Sequence, residues 1–266
     1  MFILDMIKAD KYNSRADSIN IKSFNKLARV QELQREQQMK TSQSIIKLAN
    51  RKKGIISTSI NDFINLYERI MKINFIETDG IREIYKLNNS VGVISEMKIM
   101  ISTASQVLTE RDIVNTMLVG VLKLGILTGG VSNVIAKEAQ LNENAARIRK
   151  KQINVIESQI ETINTSLEAI YERAERISII LAKINILFRK SIEVTSKIID
   201  KNGEDRFKYS KEEKEYIRNC MNFADAVKKI LDTPLFDDNG ELTIQSREAI
   251  ITGEEFLNRI SSIIDN

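Results

Sequence analysis

The stretch best equipped to hold a cation is Phe236-Asp237-Asp238-Asn239-Gly240-Glu241-Leu242, because hard divalent ions take oxygen ligands from glycine-containing turns. With Gly240 at the sixth position of a calcium loop, the first position falls on Leu235 and the twelfth on Ser246, so both essential carboxylates are missing. The residues suit a plain tight turn instead. Cys220 is the single cysteine, and the chain has no histidine to activate its thiol or to share a zinc ion. It reads as a packed residue beside Met221. Glu110 with Asp112, and Glu254 with Glu255, could do acid–base work, but they stand where helix-end acids stand for dipole reasons alone. The glycines of GILTGGVS lack the Gly-Lys-Ser/Thr ending that holds a nucleotide phosphate. The expectation is a non-enzyme with no catalytic residue, no cofactor and no metal ligand.

Basic residues cluster at Arg51, Lys52, Lys53 and again at Arg147, Arg149, Lys150, Lys151, yet there is no Trp and few aromatics are interleaved for base stacking. The net charge is +4, with acids and bases mixed along the chain, well short of a dedicated nucleic-acid protein. Nucleic acid is not an expected partner. A protein partner or a second copy of the chain is expected, in a homo- or hetero-oligomer, with conditional membrane contact as a further option. Met1 to Ile7 is apolar but broken by Asp5 and too short for a signal-peptide core, which makes the cytoplasm the default location, with membrane association or leaderless export as alternatives.

The elements around these residues are helices. A single proline and ten glycines in 266 residues leave few breaks, and apolar residues recur at three and four positions rather than two. Ile153, Ile156, Ile160, Ile163, Leu167, Ile170, Ala174, Ile177, Leu181, Ile184 and Phe188 form one heptad seam that requires a facing helix. Asn154, Glu161, Glu168 and Glu175 take its most outward position. Between Ile177 and Phe188, Ile179, Ile180, Ile186 and Leu187 add apolar residues around the helix, and this stretch is expected to be the buried hub.

Upstream, the pattern predicts one helix from about Ser18 to Ile76, with Gln31 to Ser44 solvated or paired through a narrow seam of Val30, Leu33 and Met39. Thr78, Asp79 and Gly80 end it. A shorter helix runs from Ile81 to about Leu108, and Thr109 with Asp112 resembles a capping box for the next. Downstream, Lys201 to Asp205 break the heptad helix. Ser210 and Glu213 make a capping box for a helix stopped by Thr233-Pro234, and two helical parts follow, Ile244 to Ile251 and Glu254 to Ile264. The expected fold is an elongated all-α bundle with coiled-coil character, residues 1–200 forming the long-helix bundle and 201–266 the short C-terminal helices.

Between these elements lies IVNTMLVGVLKLGILTGGVSNVI, residues 113–135, in which Lys123 is the only charge. As a helix it would extend about 34 Å, enough for a bilayer core of roughly 30 Å. Gly125 and Gly129 have the GxxxG spacing, and Gly120, Gly130 and Ser132 also allow close backbone approach, with Leu124 at the centre beside Lys123. Lys123 would cost about 2.5 to 3.5 kcal/mol on insertion. Three readings follow: a tightly packed helix or hairpin in a soluble bundle, a segment that inserts conditionally, and a permanent span.

A glycine-bearing apolar segment between long heptad helices resembles the plan of the α-helical pore-forming toxins of the cytolysin A and haemolysin BL type. That resemblance is one of organisation over roughly the first 200 residues and rests on no specific motif. It implies that 113–135 is a tongue packed on the bundle until it enters a membrane, and that 131–200 is the following bundle helix. The leading expectation is a membrane-active assembly protein, a toxin component or a defence effector. The alternative is a soluble coiled-coil scaffold or adaptor.

Overall fold

The computed structural model describes residues 2–76, 79–81, 92–103 and 143–264. The fold is all-α. Helix α1 spans Phe2–Ile55 and passes through a π-turn, Ile56–Ile60, into α2, Asn61–Lys72; α3 is Val93–Thr103, α4 is Glu143–Asn202, α5 is Lys211–Asp232 and α6 is Ile244–Ile264. Among the described residues there is no strand, only an isolated antiparallel bridge between Phe236 and Leu242.

Local chemistry explains the boundaries. α4 stops because Gly203, at φ 68°, takes the left-handed position and returns its N–H to Ile199 O at 2.8 Å. Ser210 and Glu213 close both halves of a capping box at the start of α5, and that helix ends at Asp232, just before Thr233 and Pro234. The π-turn follows Gly54, where Thr58 Oγ1 donates to Gly54 O at 2.7 Å and Ser57 Oγ to Lys53 O at 3.0 Å. Hydroxyls that bond back to the preceding turn loosen the normal ladder at this point. The first long element starts at Phe2, earlier than Ser18, and continues through the π-turn to Lys72, four residues short of Ile76.

α6 is one helix, not two parts. Gly253 does not break it because it is buried at a close approach: a Cβ there would lie 2.6 Å from Ile180 Cγ2. Missing side-chain bulk, not backbone freedom, is what this glycine provides.

The chain gathers into two compact units, Met1–Gln43 with Val114–Tyr171, and Ser44–Ile113 with Glu172–Asn266. The division falls within α1 and α4, and the C-terminal helices belong to the second unit.

In the first unit Leu27, Ile153, Ile156 and Ile160 form a buried cluster with Val30 packed on it. In the second, the Phe63 and Phe188 rings meet at 5.5 Å, and α5 buries Ile217, Cys220, Met221, Ala224 and Val227 along one stripe. Phe223 on α5 meets Phe256 on α6 edge-on at 5.5 Å.

Candidate functional site

The predicted seam of α4 is dry. Ile153, Ile160, Ile163, Leu167, Ile177, Leu181, Ile184 and Phe188 are at most 2% exposed, and Ile156 and Ile170 are 9% exposed. The direction of its partner was not legible. In the first unit, Lys26 reaches Asn154 and Lys40 reaches Glu168, each pair 128 residues apart, while Thr41 Oγ1 donates to Leu167 O across 126. In the second unit, Lys47 reaches Glu175 across 128, and Arg51 reaches Ser178 O and Arg69 reaches Ser196 Oγ across 127. A near-constant difference, rather than a constant sum, means that within each unit the two helices run parallel and in register.

Asn154, Glu168 and Glu175 therefore flank the seam and meet α1; they are not its outermost residues as expected. Each directly follows a seam residue and so lies only about 100° around the helix from it, at the seam's border, while the side opposite the seam carries Ser158, Thr165, Glu172, Ile179 and Ile186, all exposed. The all-round burial expected of Ile177 to Phe188 also fails, since Ile179 is 48% and Ile186 68% exposed. The narrow seam expected on α1 is in a different phase. Leu33 and Met39 are 49% and 55% exposed, whereas Gln34 is 9% and Thr41 0% exposed, because α1 meets α4 along Leu27, Val30, Gln34 and Thr41. Residues 113–135, with Gly120, Lys123, Leu124, Gly125, Gly129 and Gly130, lie outside the described residues, as does the expected cap at Thr109 and Asp112.

The basic clusters turn out to be partly internal. Lys52 donates to Leu231 O at 3.0 Å and Thr233 O at 2.7 Å, placing an ammonium on the orphan carbonyls that end α5. Burial pulls its pKa down to about 8 against the opposing pull of Asp232. Arg149 is 7% exposed. Such positions are invisible in a linear run of cations, because which lysine points inward depends on where the next helix ends.

No family, no curated protein and no solved structure matches this chain.

Two further features were missed by sequence reasoning. Lys228 on α5 bridges Glu96 on α3 at 2.6 Å and also meets Asp232, and Lys98 meets Glu68 at 2.8 Å. These pairs, together with the fully buried Met97, hold α3 in place. Burial opposes the charge of Lys228, but Asp232 and Glu96 outweigh it and hold its pKa above the usual value. The second feature is Asp79, whose burial is outweighed by Lys214, the Ile76 N–H and Arg206, so that its carboxyl stays below the usual range.

Cys220 is buried, and burial pushes its thiol up to about 11 against weaker hydrogen bonds with Ser191 and Thr195, which leaves it almost wholly protonated at neutral pH. The loop at Asp237 uses its oxygens internally. Asp237 Oδ1 accepts from the N–H groups of Asn239 and Glu241, each at 2.9 Å, and its carbonyl accepts from Gly240 N at 3.0 Å. Among the described residues no three His, Cys, Asp or Glu side chains gather as metal ligands, and no helix is long and apolar enough to cross a membrane.

Proposed function

We propose that this chain is a non-enzymatic helical assembly protein whose apolar run, residues 113–135, enters a membrane when triggered, in the manner of a pore-forming or membrane-perturbing component of a toxin or defence system. The supporting observation is the parallel register of α1 and α4 within each unit. Two parallel helices of one chain cannot be joined by a short turn. Between them in the sequence lie residues 73–142, and these hold the one stretch with the length and apolarity to match a bilayer core. Assembly then proceeds through the helices, with a second copy or a second component as partner.

The test is liposome leakage measured beside melting and oligomer size on the wild type and Leu124→Asp. A second charge next to Lys123 adds about 2.5 to 3.5 kcal/mol to insertion. Retained melting with lost leakage supports the membrane segment. A wild type that releases no dye at any pH or lipid composition, with a variant that merely unfolds or dissociates, favours the second reading.

That second reading is a soluble coiled-coil scaffold or adaptor. It is favoured by the Lys–Glu pairs that join α1 to α4 in each unit, Lys26–Glu157 and Lys40–Glu168 in the first and Lys47–Glu175 in the second.

A further inference from the structure

In the first unit the seam of α4 is self-complementary. Ile153, Ile156, Ile160, Ile163, Leu167 and Ile170 alternate at three and four positions, and none is more than 9% exposed. Ile or Leu at the first of the two alternating positions with Ile at the second is the composition that favours three- and four-stranded assemblies over a two-stranded pair. The side chains that flank this face most closely, Gln152, Glu157, Gln159, Asn164 and Ser166, carry a single charge among them, and the acids Glu161 and Glu168 lie farther round the helix. Copies of the stretch therefore meet without a row of like charges at the join. Toward the N-terminus the next seam position is the buried Arg149, which a second copy could not match, so the self-complementary stretch is 153–170.

The cover that α1 provides suits this face poorly. Ser23, Gln34 and Thr41 are among its buried residues, and on its side of the apolar cluster stand only Leu27 and the partly buried Val30. Thr41 Oγ1 satisfies itself on Leu167 O at 3.1 Å. Two amides do not: Asn20 Oδ1 on α1 and Asn164 Oδ1 on α4 are both buried without a hydrogen-bond partner, which a well-matched pairing seldom leaves. The ion pairs that fasten α1 here, Lys26–Glu157 at 2.5 Å and Lys40–Glu168 at 3.4 Å, involve exposed lysines and hold weakly.

We propose that α1 is a removable cover over residues 153–170, and that its replacement is the same stretch of α4 from a second copy of the chain. The exchange rests on the assembly reading given above and names the surface through which copies join. Within one chain α1 keeps its place because tethering holds it at high effective concentration, so the exchange grows as copies are concentrated.

The test is cysteine cross-linking of the full chain without lipid. Cys220, the single native cysteine, is buried, so the wild type should give no covalent dimer. Ile163→Cys puts a thiol in the middle of the seam. Treated with a short bis-maleimide, it should give a covalent dimer that rises with protein concentration, while Thr165→Cys on the exposed side should give little. Adding Gln34→Leu to Ile163→Cys improves the cover and should lower the dimer about fivefold. Melting is read on every variant, and Ile170→Cys repeats the measurement if Ile163→Cys loses its fold. No dimer from either seam cysteine at any concentration tried, a Thr165→Cys chain that cross-links as readily, or a dimer that Gln34→Leu leaves unchanged overturns the proposal. Since no lipid is present, the outcome is separable from that of the membrane segment. Dye leakage by a chain whose seam never cross-links overturns the exchange and keeps the membrane reading, whereas seam cross-linking without leakage supports the exchange and favours the scaffold.

Discussion

The two compact units use the same pair of helices in different ways. In the first, α4 offers Ile153, Ile156, Ile160, Ile163, Leu167 and Ile170, and α1 answers with Ser23, Leu27, Gln34 and Thr41 among its buried residues. In the second, the facing residues of α1, the π-turn and α2 include Leu48, Ile55, Ile60, Phe63, Tyr67 and Ile70, and α3, α5 and α6 add further walls. Burial on adjacent positions, as in Ile55 with Ile56 and Phe63 with Ile64, is what a helix shows when it serves more than one neighbour. The first unit thus has an apolar seam covered by a partly polar helix, and the second a shared apolar and aromatic core. Packing of the second kind resists change; a polar cover is easier to exchange.

The largest expected effect tests that contrast directly. Phe188, fully buried against Phe63 in the second unit, should cost about 3 to 5 kcal/mol when replaced by Ala, whereas Ile163→Ala in the first unit should fall nearer 2 kcal/mol, since an apolar seam under a single, partly polar helix collapses more easily around the gap. Urea unfolding of both variants decides it, and an equal loss would erase the distinction between the units.

Next in size is the pH response of Lys52. Its folded pKa of about 8 lies below the ordinary 10.5, so between those values the unfolded chain binds more protons than the folded one. Stability from this group should therefore rise with pH across that window. Melting temperature measured from pH 7.5 to 10.5, wild type minus Lys52→Met, should climb by a few degrees; a flat difference would mean that the ammonium is not confined against the end of α5.

The smallest effect belongs to Gln34. Replacing this buried amide by Leu adds an apolar knob to the first unit's seam and should stabilise it by about 1 kcal/mol, a rise of roughly 2 to 4 °C. A loss of stability would show that the polar cover is already optimal, and that the seam of α4 was not waiting for better company.

The heptad of α4 was readable because its own dry face carries almost nothing but Ile and Leu, and periodicity reports a helix's face without reference to its partner. The matching face of α1 was not readable, because Ser23, Gln34 and Thr41 look like surface residues while Leu33 and Met39 look like core. Their roles are exchanged because the seam runs where α1 is narrow enough to approach α4 closely, and Thr41 Oγ1 can satisfy itself on Leu167 O. The clasp of Asp79 on Lys214 and Arg206 was not readable either, because Asp79 lies more than a hundred residues from both in the sequence.

By itself, then, the amino-acid sequence determined an all-α chain, the dry face of α4, the capping box of Ser210 and Glu213, the stop at Thr233-Pro234 and the turn at Asp237 to Gly240. Each depends on residues within a few positions of one another, where spacing and turn chemistry act alone. Tertiary structure decided that α1 and α4 run parallel within each unit, that α6 passes unbroken through Gly253, that Ile186 stays exposed and that Lys52 ends α5. These outcomes turn on which helix lies opposite and at what height. That is set by the summed burial of contacts between residues far apart along the chain, and no local pattern encodes such a sum.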